Sequence, residues 1–118
     1  MGYYITLTDP VSRQTLHLDH PHHMRGSTYV LGGTTEASLN VTYNYGKHLY
    51  RVLGDEGIRC IYGKSGAESL PTLDAAISQL SDDVSDNYWD ATEGNAKRAL
   101  IQLRVLASMR PDGVWEGD

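Results

Sequence analysis

With 118 residues the chain is long enough for one domain, which at this size buries roughly two-thirds of its unfolded surface. Ten basic against fifteen acidic residues give a formal charge of −5, the wrong sign for a protein that coats duplex nucleic acid by neutralising phosphates. The single cysteine, Cys60, excludes an internal disulfide, no apolar run approaches the ~18 residues of a membrane span, and the start MGYYITLTDP lacks a basic and apolar leader, which points to the cytoplasm.

Residues 3–8 alternate and are rich in Tyr, Ile and Thr; Asp9-Pro10 opens a turn, and residues 15–19 alternate again. The pattern predicts a β-hairpin with a loop of about six residues. From Asp19 to Gly33 the chain is punctuated by Pro21, Gly26, Gly32 and Gly33, with a short apolar stretch at residues 29–31, read as a loop and a short strand. Residues 38–45 form the most informative segment. With a side-chain period of two, Leu39, Val41, Tyr43 and Tyr45 share one face, while Ser38, Asn40, Thr42 and Asn44 share the other, which is polar but uncharged.

Residues 47–53 read as a short helix ended by Gly54, because Leu49, Val52 and Leu53 recur at helical spacing. Ser69-Leu70-Pro71 marks a second helix start with Leu70, Leu73, Ile77 and Leu80 on one face. In a third helix, Thr92 is the N-cap, Ala96, Ala99, Leu100, Leu103, Leu106 and Ala107 form the apolar stripe, and Pro111-Asp112-Gly113 is the stop. Strands first and helices second indicate a single α+β domain over residues 1–118, an N-terminal antiparallel β-sheet packed against C-terminal α-helices.

No motif for catalysis is complete. Gly63-Lys64-Ser65 is like the end of a phosphate-binding loop, but the first Gly is misplaced: position 58 is Ile. His17, His20, His22 and His23 match no closed metal site, so no metal is assigned and a solvated, titratable loop is the simpler account. Asp82, Asp83, Asp86, Asp90 and Glu93 lack the spacing of a calcium loop and read as a solvated turn leading into a helix. Cys60 lies in an apolar setting that suits a buried thiol rather than a nucleophile, no Ser occupies a nucleophile elbow, and no cofactor fingerprint is present.

What remains is a neutral polar and aromatic set: Asn40, Thr42, Asn44 and Tyr45, then Tyr62, Tyr88, Trp89, Thr92 and Asn95. Amides and hydroxyls read the edges of a polar ligand, aromatic faces stack on a ring, and a helix N-terminus attracts an anion. The plainer account has Asn40, Thr42 and Asn44 facing water while Thr92 and Asn95 merely cap.

The run LNVTYNY (39–45), GIR and IYG around Cys60, Tyr88-Trp89, TEGNA (92–96) and RPDGVW (110–115) resembles a family of small uncharacterised proteins of phages and prophages, over nearly the whole chain. Arg13 stands where relatives often carry a turn Gly, and Lys64-Ser65 is outside the family pattern. The resemblance implies a phage protein in the bacterial cytoplasm that inhibits host defence, with no catalytic residues. It would hold a small nucleotide-like ligand in the polar set or, alternatively, block a host defence or DNA-handling protein through an acidic Tyr/Trp surface. An enzyme using paired carboxylates is the third reading, and homo-oligomerisation stays open.

Overall fold

The computed structural model describes residues 2–118. Strand β1 (Gly2–Thr8) is central in a three-stranded antiparallel sheet, flanked by β4 (Ser38–Thr42) and β5 (Val114–Gly117). A smaller antiparallel pair joins β2 (His17–His22) to β3 (Thr34–Glu36). Three helices follow: α1 (Gly46–Leu53), α2 (Gly66–Ser78) and α3 (Glu93–Met109). The fold is α+β, with β1 to β4 in the N-terminal part, the two longest helices in the C-terminal half, and β5 returning from the C-terminal end to the sheet.

Period-two patterning decides which face of the sheet is dry. Tyr3, Ile5 and Leu7 of β1, Leu39 and Val41 of β4, and Trp115 of β5 are buried in one core with Leu73 and Ala76 of α2 and Leu100, Leu103, Leu106 and Ala107 of α3. Complete burial of each large side chain contributes roughly 1.5–3 kcal/mol. Trp115 is polar at one atom, and its indole N–H donates to Ser69 Oγ at 2.8 Å.

The structure corrects four expectations. The turn at Asp9-Pro10 exists, with Leu16 N–H donating to Leu7 O and Asp9 N–H to Gln14 O, but the second arm then departs to pair with β3. Arg13 adopts φ 65° in this turn, a left-handed conformation that glycine takes without strain. Residues 29–31 form no strand, and Val30 and Leu31 are exposed. Strand β4 stops at Thr42: Tyr43–Tyr45 turn into a 3-10 helix capped by Thr42 Oγ1, so Asn44 and Tyr45 leave the sheet. Helix α2 starts before Leu70, at the N-cap Ser65, where Ser65 and Glu68 form a reciprocal capping box and Pro71 lies inside the helix. The N-cap Thr92 and the buried stripe of α3 are as the sequence predicts.

Candidate functional site

Between α2 and α3 the chain runs through residues 81–92 without helix or strand, a long irregular connection for a compact domain. Side chains replace secondary structure as its support. The buried Asn95 amide accepts from Ser85 N–H at 3.2 Å and donates to Asn87 O at 3.1 Å and Asp90 O at 3.0 Å. Asn44 Nδ2 donates to Trp89 O at 2.9 Å, and Tyr45 Oη donates to Tyr88 O. His48 Nε2 lies 2.8 Å from Ala91 O, so this nitrogen carries the proton. Gly94 N–H donates to Asp83 O at 3.0 Å, and a Cβ at Gly94 would sit 2.5 Å from the Asp83 carbonyl carbon, so the loop lies against α3 where only glycine fits.

Six of the nine sequence-selected residues therefore gather at this loop: Asn44, Tyr45, Tyr88, Trp89, Thr92 and Asn95. Thr42 is buried just before them, its hydroxyl accepting from Asn44 N–H at 3.2 Å. Asn40 lies elsewhere, on the outer sheet face, with Nδ2 donating to Thr28 Oγ1 at 2.9 Å. Tyr62 is also remote: its hydroxyl is buried against Gly117, without a hydrogen-bond partner among the described residues, and burial pushes its pKa up to about 12.

The pinned loop forms one wall of a cleft of about 510 Å³, in the range of small-molecule sites. Tyr88 and Asp86 come from the loop, and the opposite side carries His23 and Arg25 from the segment after β2. Helix α3 supplies Asn95, Arg98, Ile101 and Gln102 at successive turns, and Tyr45 lies at the base. Burial raises the Tyr45 pKa, with the nearby Arg98 charge opposing that rise, so the hydroxyl stays protonated at neutral pH.

Gln102 sets the position of Arg25. Its Oε1 accepts from Arg25 N–H and its Nε2 donates to Arg25 O, both at 2.8 Å, clamping an irregular backbone to α3. Among the described residues neither Arg25 nor Arg98 enters an ion pair, whereas Arg13, Arg51, Lys97, Arg104 and Arg110 all do. The Arg25 guanidinium instead covers the Tyr29 ring at 4.3 Å. Tyr88 and Trp89 stack with centroids 5.2 Å apart.

Sequence reasoning found the aromatic and amide framework but assigned no ligand role to the other lining residues, the charged Arg25, Asp86 and Arg98 together with His23, Ile101 and Gln102. Asn95, Arg98 and Gln102 do share one helical face beside the apolar stripe, a signal readable from spacing. Nothing local announces Arg25.

The other sequence features lie outside the cleft or have structural partners. The first-turn N–H groups of α2 are engaged, Gly66 to Gly113 O (2.8 Å), Ala67 to Pro111 O (3.2 Å) and Glu68 to Ser65 Oγ (3.0 Å), so the Gly63-Lys64-Ser65 corner offers none of these three to a phosphate. His17 Nδ1 contacts Thr35 Oγ1 and His22 Nε2 contacts Glu36 O, fastening β2 to β3. Among the described residues no three His, Cys, Asp or Glu are grouped to hold a metal ion, and no helix is long and apolar enough to cross a membrane. Burial pushes the half-buried Cys60 thiol up, away from the thiolate. Set against protein-family models, curated proteins and solved structures, the chain matches none of them.

Proposed function

We propose that this chain is a phage-type binding protein, without catalysis of its own, that sequesters a small nucleotide-like ligand in the cleft between the 81–92 loop and α3. One observation carries the reading: in a chain of formal charge −5, two arginines without carboxylate partners line the same cleft as an aromatic ring. Unpaired guanidinium groups suit phosphate, and a tyrosine face suits a base. Removing ligands of this kind fits inhibition of a host defence system that signals through nucleotides.

The test is calorimetry and thermal shift with cyclic and linear nucleotides, including ADP-ribose derivatives. A charged hydrogen bond is worth about 1.5–3 kcal/mol, so Arg25→Ala and Arg98→Ala should each weaken a true ligand roughly 10- to 150-fold. Failure of every nucleotide to bind at millimolar concentration ends the proposal.

A second reading has one observation in its favour. Val84 and Trp89 are exposed on the same acidic loop as Asp82, Asp83 and Asp86, a composition suited to blocking a basic host protein. Under that reading Trp89→Ala abolishes inhibition in infected cells, while Arg25→Ala has no effect.

A further inference from the structure

We infer that the cleft is built for a free guanine nucleotide, oriented with its base toward Asp86 and its phosphate toward Arg25 and Arg98; this rests on the nucleotide-binding reading above. The cleft is electrically polarised along α3. Ser85 N–H donates to Asn95 Oδ1 at 3.2 Å, which places Asp86 beside the first turns of the helix. At the other end Gln102 Nε2 donates to Arg25 O (2.8 Å) and so holds Arg25 there, and it also reaches back one turn to Arg98 O (3.2 Å), so that Arg98 lies between Asn95 and Arg25 along the cleft. Asn95 and Gln102 are two turns apart, roughly 10 Å along the axis, a span that an extended mononucleotide covers from base edge to 5′-phosphate.

Asp86 is as conspicuous as the arginines. Both neighbours are committed, Ser85 Oγ and Asn87 Nδ2 donating to the Asp90 carboxylate at 2.6 and 3.4 Å. The Asp86 carboxylate itself accepts no hydrogen bond and enters no ion pair among the described residues. A carboxylate only accepts, and it is satisfied best by two parallel donors. Guanine alone among the common bases offers them, as adjacent N1–H and 2-amino groups. Adenine and cytosine place a ring-nitrogen lone pair beside their amino group, and uracil places its N3–H between two carbonyls, so each turns at least one acceptor toward the carboxylate. Tyr88, stacked on Trp89, supplies a ring face next to Asp86. The formal charge of −5 opposes a polymer and favours the free nucleotide.

Calorimetry with 5′-GMP, 5′-IMP, 5′-AMP and a single-stranded hexanucleotide bearing a 5′-terminal guanosine monophosphate tests this on wild type, Asp86→Asn and Arg98→Ala. Asp86 is exposed and makes no internal bond, so its substitution leaves the fold intact. Wild type should prefer GMP to AMP by about tenfold or more, with IMP between them because it keeps only N1–H. Asp86→Asn should bring GMP and AMP to within about threefold without weakening AMP, whereas Arg98→Ala should weaken all mononucleotides alike. Mononucleotides that bind without base preference, or whose preference survives Asp86→Asn, overturn the guanine assignment and leave the nucleotide reading standing. A hexanucleotide that binds more tightly than GMP overturns the free-nucleotide claim. Absence of all mononucleotide binding overturns the guanine assignment and the free-nucleotide claim, and the nucleotide reading itself falls only if the cyclic and ADP-ribose ligands above fail as well.

Discussion

Asn95 illustrates how one side chain can stand in for an element of secondary structure. Its amide makes three hydrogen bonds to backbone groups on Ser85, Asn87 and Asp90, and its own N–H is taken by the Thr92 cap at 3.1 Å. Truncation in Asn95→Ala leaves the part-buried Ser85 N–H to find water and leaves Asn87 O and Asp90 O with only their backbone donors, Asp90 N–H and Thr92 N–H, so about 1–3 kcal/mol of stability should be lost in urea titrations. Asn95→Asp retains the acceptor for Ser85 but sets a carboxylate against two carbonyl oxygens, so it should be no better tolerated. Hydrogen exchange at Ser85 and Gly94 reports the same event locally. If both amides keep wild-type protection in Asn95→Ala, the amide is not what orders the loop. Asn44 acts on the loop similarly but from the periphery, with one bond to Trp89 O, so Asn44→Ala weakens a ligand only through the wall that it supports.

At the scale of the element, α2 separates what was legible in the chain from what was not. The apolar stripe of α2 is visible from spacing, but Pro71 draws the predicted start forward, because proline is favoured in a first turn. The true signal is the Ser-x-x-Glu pattern at Ser65 and Glu68, whose capping box offsets the one helical bond that Pro71 cannot make. Ser65→Ala should therefore cost about 1 kcal/mol and fray the first turn. An unchanged melting midpoint for Ser65→Ala would mean that the contacts of Gly66 and Ala67 with Gly113 and Pro111 hold this end by themselves. Strand β5 was missed for a different reason. Four residues are too few for alternation to register, and the strand exists because β1 offers Leu7 and Thr8 as partners to Trp115 and Val114 from the far end of the chain. The site follows the same division. Local cues found Thr92, Asn95 and the tyrosines, while Arg25 enters the cleft only through its long-range clamp by Gln102.

For the whole molecule, the titrating groups predict a stability plateau bounded on both sides. Backbone N–H groups of Ser12 and Val11 hold the Asp9 carboxyl low, the Ser65 N–H does so for Glu68, and the Arg110 guanidinium for Asp112. Their contribution is complete above the ordinary carboxylate pKa of about 4 and is lost as pH falls through their depressed values. The alkaline side rests on tyrosines. Burial raises the pKa of Tyr3, Tyr45 and Tyr62, the last to about 12, so their contribution is complete below the ordinary value of about 10 and is lost as pH rises through the folded values. Tyr62 isolates this effect, because its hydroxyl is buried with no partner among the described residues and lies away from the cleft. Tyr62→Phe should match or slightly exceed wild-type stability at neutral pH, since it removes an unsatisfied polar atom and little else. It should also lose less stability than wild type between about pH 10 and about pH 12, and one tyrosinate of high pKa should vanish from the ultraviolet titration. Nucleotide affinity should be unaltered. A Tyr62→Phe variant that loses stability with alkali as steeply as wild type would show that the Tyr62 hydroxyl reaches water, and the alkaline limb would then belong to Tyr3 and Tyr45 alone.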